Sequence, residues 1–358
     1  MMDTPYLEID LAKLFSNTQT LVKMFGARNI DITGITKVAL GEPRVANCLI
    51  SAGLTSIGDS RIANIKRMRQ AGVKGTFVLI RTPSMTEICD VVKYADVSFN
   101  TEVAIITELS GAAIKQNKVH DIVLMVEMGD LREGIPQNNL DATIDQIVKL
   151  KGVNLKGLGT NLACFSGVKP SKKNMDQLSF LAETYEKKYQ IKFDIISGGN
   201  SANFDWFFAN DDLGRINDVR LGESIFVGRE TLIRKHIDGL HLDAITLVAA
   251  VIESKTKPSF PEGEVGQDAF GNTTTFVDKG DMLRTILSIG KQDVYVPGLT
   301  PFIDVDVIGS SSDHLILDAT RSPLQVGDQV RFSLDYAALL SCMTSPFVAK
   351  SYVENGIT

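Results

Sequence analysis

Cysteine and histidine are scarce in this chain, and each scarcity closes off a class of function. Four cysteines in 358 residues, with no Cys-x-x-Cys pair, supply neither a disulfide framework nor a zinc ribbon. The four histidines, none in His-x-His or His-Glu-x-x-His spacing, give a structural zinc little to bind, so no metal is expected. A basic excess is also missing. Lys and Arg total 37 against 43 Asp and Glu, a formal net charge of −6, which argues against nucleic acid and anionic membranes as partners. The most apolar run, residues 245–252, falls far below the roughly 18 to 20 residues that cross a bilayer. The opening Met1-Met-Asp-Thr-Pro5 lacks the basic and apolar regions of a secretory leader, so a cytoplasmic protein is expected.

What is present is an ordinary globular balance, 44% hydrophobic and 22% charged, with a mean hydropathy of +0.06. At this length a large domain plus a smaller one is expected. A short strand at 6–9 precedes a helix that Asp10 can cap, its apolar positions Leu11, Leu14, Phe15, Leu21, Val22 and Phe25 falling three or four apart. Strands at 32–36, 55–58, 76–80, 96–99, 121–126, 155–159, 193–196 and 218–221 then alternate with helices, one opened by the capping box Ser84-Met-Thr-Glu87 and another by Ser60. Eight such units close a (β/α)8 TIM-type barrel. An open doubly wound sheet competes, but Lys37-Val-Ala-Leu-Gly41-Glu after the first of these strands is not a dinucleotide fingerprint.

Past about residue 238 the texture becomes strand-length runs at 245–252, 274–277, 283–289, 302–308, 314–318 and 329–334, with little helical period. The expected division is a barrel over 1–237 and a C-terminal all-β domain over 238–358, the strand at 6–9 being free to join the latter. Residues 256–272 form a long polar loop of the functional or mobile kind.

Barrel enzymes place their chemistry at the carboxyl ends of the strands. Those ends carry Lys37, Arg132, Asn161, the segment Ser197-Gly-Gly-Asn-Ser201, and Arg220-Leu-Gly222-Glu223. A lysine at a strand end is most often a solvated surface group. Here, however, the loops after strands seven and eight, the usual phosphate pocket of such barrels, offer backbone N–H groups, a hydroxyl and glycines. A phosphate opposite a strand-end lysine suggests a phosphorylated aldehyde cofactor.

Taken together, Ile35-Thr-Lys37, Gly129-Asp-Leu-Arg132-Glu-Gly, Gly159-Thr-Asn161-Leu-Ala-Cys, Ser197-Gly-Gly-Asn-Ser201 and Val219-Arg220-Leu-Gly222-Glu resemble the alanine-racemase-like fold, the fold-type III enzymes that use pyridoxal 5'-phosphate (PLP). Within it the pattern is similar to the ornithine racemase type, and the likeness extends to Ile308-Gly-Ser-Ser-Ser312-Asp313-His-Leu and Cys342-Met-Thr-Ser-Pro-Phe347. The resemblance implies that Lys37 forms the Schiff base and that Ser201, with the backbone amides of Gly222 and Glu223, holds the phosphate. Arg220 would face the pyridine nitrogen, Arg132 the phenolic oxygen, and Asn161 would stand beside the ring where alanine racemases usually carry histidine. A guanidinium, with a pKa above ~12, does not readily give the ring a proton, which favours a short-lived carbanion and reprotonation over transamination.

Three positions depart from alanine racemases. Lys291, in Ile289-Gly-Lys291-Gln-Asp293, stands where the partner subunit's catalytic tyrosine would be; Gly41 replaces a phosphate-touching tyrosine; Met125 replaces a lysine that is often carbamylated. Racemisation needs a second acid/base opposite Lys37, and Lys291 is the first candidate, with Tyr336, Cys342 and Tyr352 as others. Ser312 and Asp313 would reach the substrate carboxylate across a homodimer interface. Asp293, Asp313 or Glu133 would receive the terminal ammonium of an ornithine-like substrate. The expected activity is an amino-acid racemase acting on ornithine or another basic amino acid. An alanine or broad-specificity racemase, a PLP-dependent lyase, aldolase or decarboxylase, and a non-catalytic PLP-binding protein remain open alternatives.

Overall fold

The computed structural model describes residues 5–273 and 275–354. These form two units: Lys13–Leu242 is one, and the described residues up to Ala12 together with those from Asp243 onward form the other.

Strand β1 (Tyr6–Asp10) leads into helix α1 (Leu11–Gly26). Then follow β2 (Asp31–Ile35), α2 (Pro43–Ser51), β3 (Ser56–Asp59), α3 (Ile62–Gln70), β4 (Thr76–Leu79), α4 (Ile88–Tyr94), β5 (Val97–Asn100) and α5 (Val103–Lys115). The series continues with β6 (His120–Met125), α6 (Gln137–Ile147), β7 (Val153–Gly159), α7 (Lys172–Tyr189), β8 (Ile195–Asn200), α8 (Phe204–Ala209), β9 (Asp218–Leu221) and α9 (Glu223–Val227). Strands β2 to β9 pair in chain order, all parallel, and β9 closes on β2 with Thr33 beside Arg220. Strands covered on both sides read as unbroken apolar runs, and Ile122, Val123, Leu124 and Met125 of β6 are all buried. Val78, Val97, Phe99, Val123 and Met125 cluster in the core, each large side chain contributing about 1.5 to 3 kcal/mol of burial.

Several local expectations shift. Ser60 is not the cap of α3; the N-cap is Arg61, whose amide is held by the Asp59 carboxylate at 2.9 Å. Strand β8 does not end at residue 196 but runs on through Ser197-Gly-Gly-Asn200, because a bulge lets the stretch from Ser197 to Asn200 pair against Asp218 to Arg220. The barrel unit also extends past 237. The Asn17 side-chain amide of α1 accepts from the His241 amide at 2.6 Å and donates to its carbonyl at 3.0 Å, tying residues up to Leu242 to the helix.

In the second unit, β10 (Ile245–Pro258), β11 (Asp281–Leu287), β12 (Leu299–Pro301), β13 (Asp306–Ser310), β14 (Leu315–Asp318) and β15 (Gln329–Leu334) form an antiparallel sheet in the order β12-β15-β10-β11-β14-β13. Strand β1 pairs antiparallel with β10 and parallel with β16 (Ala349–Val353). One helix, α10 (Tyr336–Thr344), interrupts this β unit; Asp335 caps it by accepting from the Ala338 amide at 2.8 Å. The strand expected at 274–277 begins on Thr274, outside the described residues, and residues 275–277 are not in a strand. Among the described residues no helix is long and apolar enough to cross a membrane.

Candidate functional site

Lys37 is half-buried and opens a 3-10 turn directly after β2. The residue before it, Thr36, is fully buried and donates its hydroxyl to Asp59 at 3.0 Å. That carboxylate also receives the Asn64 amide at 3.0 Å, and burial pushes its pKa up against the pull of these hydrogen bonds. The turn ends with Leu40 and Gly41 both in the left-handed region.

On the strand beside β2, Arg220 is buried and its guanidinium lies 5.1 Å from the centre of the Phe99 ring. It donates to the Thr160 carbonyl at 2.7 Å, to the Ser197 hydroxyl, and at 3.5 Å to the Asn161 side-chain oxygen. That oxygen also accepts from Asn200 at 2.9 Å. Asn161 is buried, and its Nδ2 has no hydrogen-bond partner among the described residues. Burial lowers the proton affinity of Arg220, and the nearby charge of Asp218 opposes that effect.

After β9, Gly222 packs so closely that a β-carbon on it would lie 3.2 Å from the Ile35 Cβ, two residues before Lys37. The Ser201 hydroxyl accepts from the Ser224 amide at 3.3 Å. Ser224 is fully buried, and its own hydroxyl has no partner among the described residues. The Glu223 side chain pairs with Arg234, leaving its backbone as the part that belongs to this turn. Ser197 to Asn200 is strand rather than open loop, so the expected anion site would reduce to Ser201 with the turn at residues 222–224.

Arg132 sits in the loop after β6 and is paired with its neighbour Glu133, which raises its proton affinity. The same loop carries Asp130, a buried carboxylate that takes the Phe165 and Ser166 amides at 3.1 Å and so fastens the loop after β6 to the one after β7. Charge from Glu133 and Arg132 is felt at Arg220, which groups these side chains at one end of the barrel.

In the β unit, the Lys291 amide bonds the Ser311 carbonyl and the Gln292 amide bonds the Ser312 carbonyl, both at 2.9 Å, so Lys291, Ser312 and Asp313 share one edge. The Lys291 ammonium lies 3.9 Å from the centre of the Phe270 ring, which the long loop presents. Asp313 is exposed and pairs with His314 at 2.9 Å. Cys342 is fully buried with its thiol pushed up to about 12 by burial, which removes it as an acid/base. Asp293 is buried against the Ser345 hydroxyl at 2.6 Å, and Glu133 is engaged by Arg132.

Sequence reasoning missed two residues of this site, Ser224 and Asp218, and the contacts of a third, Asn200, which it named only within the segment 197–201. Ser224 follows the Gly222-Glu223 pair directly, and its hydroxyl was the available signal. Asn200 braces the loop after β7 by donating to Asn161 and to the Leu162 carbonyl, both at 2.9 Å. Asp218 accepts the Ser197 hydroxyl, a contact that only the strand register reveals.

Comparison with known proteins adds family to geometry. Residues 9–230 match the model described as alanine racemase, N-terminal domain. A lysine racemase of Thermotoga maritima is 38% identical over 97% of this chain and 98% of its own length. An ornithine racemase of Acetoanaerobium sticklandii is 36% identical over 97% of this chain and 99% of its own. A solved structure of alanine racemase from Bartonella henselae with covalently bound pyridoxal phosphate shares the fold, with a TM-score of 0.74 at 18% identity over 98% of this chain and 100% of that one. With its closed barrel, strand-end lysine and near full-length match to these racemases, the chain belongs to the alanine racemase family.

Proposed function

We propose that this protein is a PLP-dependent racemase of basic amino acids, ornithine or lysine, working as a cytoplasmic homodimer. The observation that carries the reading is a set of buried polar groups left open at the carboxyl end of the barrel, Asn161 Nδ2 beside Arg220 and Ser224 Oγ beside Ser201, after the consecutive strands β7, β8 and β9, the last of which pairs with the strand that precedes Lys37. Two such atoms at one barrel end, beside a strand-end lysine, leave acceptors and donors for a bound ligand. A phosphate at Ser201 and Ser224 and a polar ring at Arg220 and Asn161 would engage them, so the residues fit PLP.

The lysine and ornithine racemases support a basic substrate, since each aligns over 97% of this chain. All four cysteines are free thiols, as suits a reducing compartment. The homodimer follows from the need for a second acid/base opposite Lys37, which the β unit of a second copy would bring as Lys291, together with Ser312 and Asp313.

Bound PLP would supply an electron sink that acidifies the Cα–H of an attached amino acid. Lys37 would anchor the cofactor and carry the Cα proton on one face, and Lys291 of the second copy would carry it on the other. Ser201, Ser224 and the backbone amides of Gly222 and Glu223 would hold the phosphate. Arg220 would donate a hydrogen bond to the ring nitrogen while keeping its own proton, Arg132 would neutralise the phenolic oxygen, and Asn161 would flank the ring. The backbone amides of Ser312 and Asp313 would hold the substrate carboxylate.

Borohydride reduction of the PLP-loaded protein followed by peptide mapping tests the anchor, and an unlabelled Lys37 sinks the reading. Incubation of L-ornithine, L-lysine and L-alanine in deuterated water tests the reaction. The mirror-image acid, labelled at Cα and formed faster from the two basic substrates, is expected. Release of carbon dioxide or an aldehyde would move the enzyme to the lyase, aldolase or decarboxylase alternatives.

A further inference from the structure

Arg220 is held by more than its contacts at the mouth of the barrel. Residues two apart on a strand face the same side, so Asp218 and Arg220 of β9 point the same way. Between them on the neighbouring strand stands Ser197, whose hydroxyl donates to Asp218 Oδ2 and accepts from Arg220 Nη1. The bulge between Ser197 and Asn200 allows this, since Ser197 pairs with Asp218 in register while Asn200, further along β8, pairs with Arg220. The other carboxylate oxygen of Asp218 receives the Thr33 hydroxyl of β2 at 3.0 Å, and Thr33 meets Ser56 of β3 at 2.9 Å. A chain of polar groups therefore crosses four adjacent barrel strands and ends on the guanidinium.

Resting on the racemase reading above, we propose that Asp218 is a positioning residue: acting through the Ser197 hydroxyl, it fixes the orientation and charge of Arg220 at the cofactor ring. The guanidinium is clamped from the Thr160 and Asn161 side as well, and Phe99 covers one face. Among the described residues, only the Ser197 arm leads to a carboxylate. The charged groups around the pair are Asp31 near Asp218, and Glu133 and Arg132 near Arg220, with the Cys164 thiol as the other titratable group there. Burial pushes the Asp218 carboxyl up and the Arg220 guanidinium down, and each opposes the shift of the other. Removing the carboxylate charge leaves a buried cation without that counter-charge.

The test uses the full chain with substitutions S197A, S197T, D218N and the double variant S197A/D218N. In the cofactor-free protein, nitrogen-15 NMR of the Arg220 side chain, assigned by its loss in R220K, reports how fast Nη1 and Nη2 exchange. Exchange is expected to quicken at least about tenfold in S197A and D218N, the effect of losing one charge-assisted hydrogen bond, and to return toward wild type in S197T. In the PLP-loaded enzyme, the pH at which the visible absorption of the bound cofactor changes should move in S197A and D218N but not in S197T. Their kcat should fall about tenfold with KM little altered. Because both residues act along one chain, the double variant should be no worse than S197A alone. Additive losses, or unchanged exchange and spectra in folded variants, would overturn the proposal. Should D218N fail to fold, S197A and its rescue by S197T decide. A wild type that takes up no PLP would overturn the proposed function instead, leaving the NMR exchange to judge the tether by itself.

Discussion

Gly41 faces Asn64 at a distance that admits no side chain: a β-carbon on Gly41 would lie 2.7 Å from the Asn64 Cβ and 3.1 Å from its Cα. Asn64 is held there by its hydrogen bond to Asp59, and the φ of +60° at Gly41 adds backbone strain to any replacement. The tyrosine that alanine racemases carry at this point therefore has no room. Gly41→Ala is expected to lower stability by about 2 to 3 kcal/mol, measured by urea unfolding. Gly41→Tyr should cost more and should not tighten PLP binding; a stable Tyr variant with higher PLP affinity would contradict the packing.

Lys291 is the proposed acid/base on the face opposite Lys37. In the variant Lys291→Met, racemisation should fall by about 10² to 10⁴-fold. Exchange of the Cα proton with deuterated solvent should survive for one enantiomer only, the one whose proton Lys37 removes. Equal loss of exchange from both enantiomers would show that Lys291 does not act on one face.

Asp130 ties the loop that carries Arg132 to the loop that carries Asn161. Asp130→Ala leaves the Phe165 and Ser166 amides without that acceptor, at a cost of about 2 kcal/mol. Faster proteolysis within residues 127–134 and 162–168 and a raised KM are expected. Unchanged proteolysis and Tm would mean the loops hold without this link.

His120 links stability to pH. It is buried beside the Ser98 hydroxyl at 2.8 Å, and burial lowers its pKa to about 4. The unfolded chain, with an ordinary value near 6.5, binds the proton first, so its stabilising effect is complete above pH 6.5 and is lost as pH falls toward 4. The loss amounts to about 3 kcal/mol at most. Denaturant titrations at intervals between pH 7 and 4 should show this slope, and His120→Gln should flatten it.

How much of this was legible follows from where the information lies. The helix opened by Ser84 was legible because its start is marked locally: Ser84 and Glu87 form a reciprocal cap, the Glu87 carboxylate accepting from the Ser84 amide at 2.9 Å. Alternating period made the barrel legible in the same way. Helix α10 was missed because Ala-Ala-Leu-Leu among small residues carries a weak amphipathic signal, although Asp335 stood at the capping position. Strand β8 was cut short because Gly198-Gly199 reads as a loop, whereas here it forms the bulge. At the site, strand-end residues such as Lys37 and Arg220 could be named from their position. The Asp218–Ser197–Arg220 chain could not, since it depends on register between strands that no local pattern encodes. The pairing of Glu133 with Arg132 is likewise a choice of rotamer, invisible in adjacent letters.

Strand β1 lies between β10 and β16. A ribosome delivers residues 6–10 long before their parallel neighbours 349–353, so during synthesis β1 must wait while all eight barrel strands emerge. The barrel can acquire its hydrogen bonds during translation, but the sheet beside Lys291, Ser312 and Asp313 closes around β1 only after residues 349–353 have emerged.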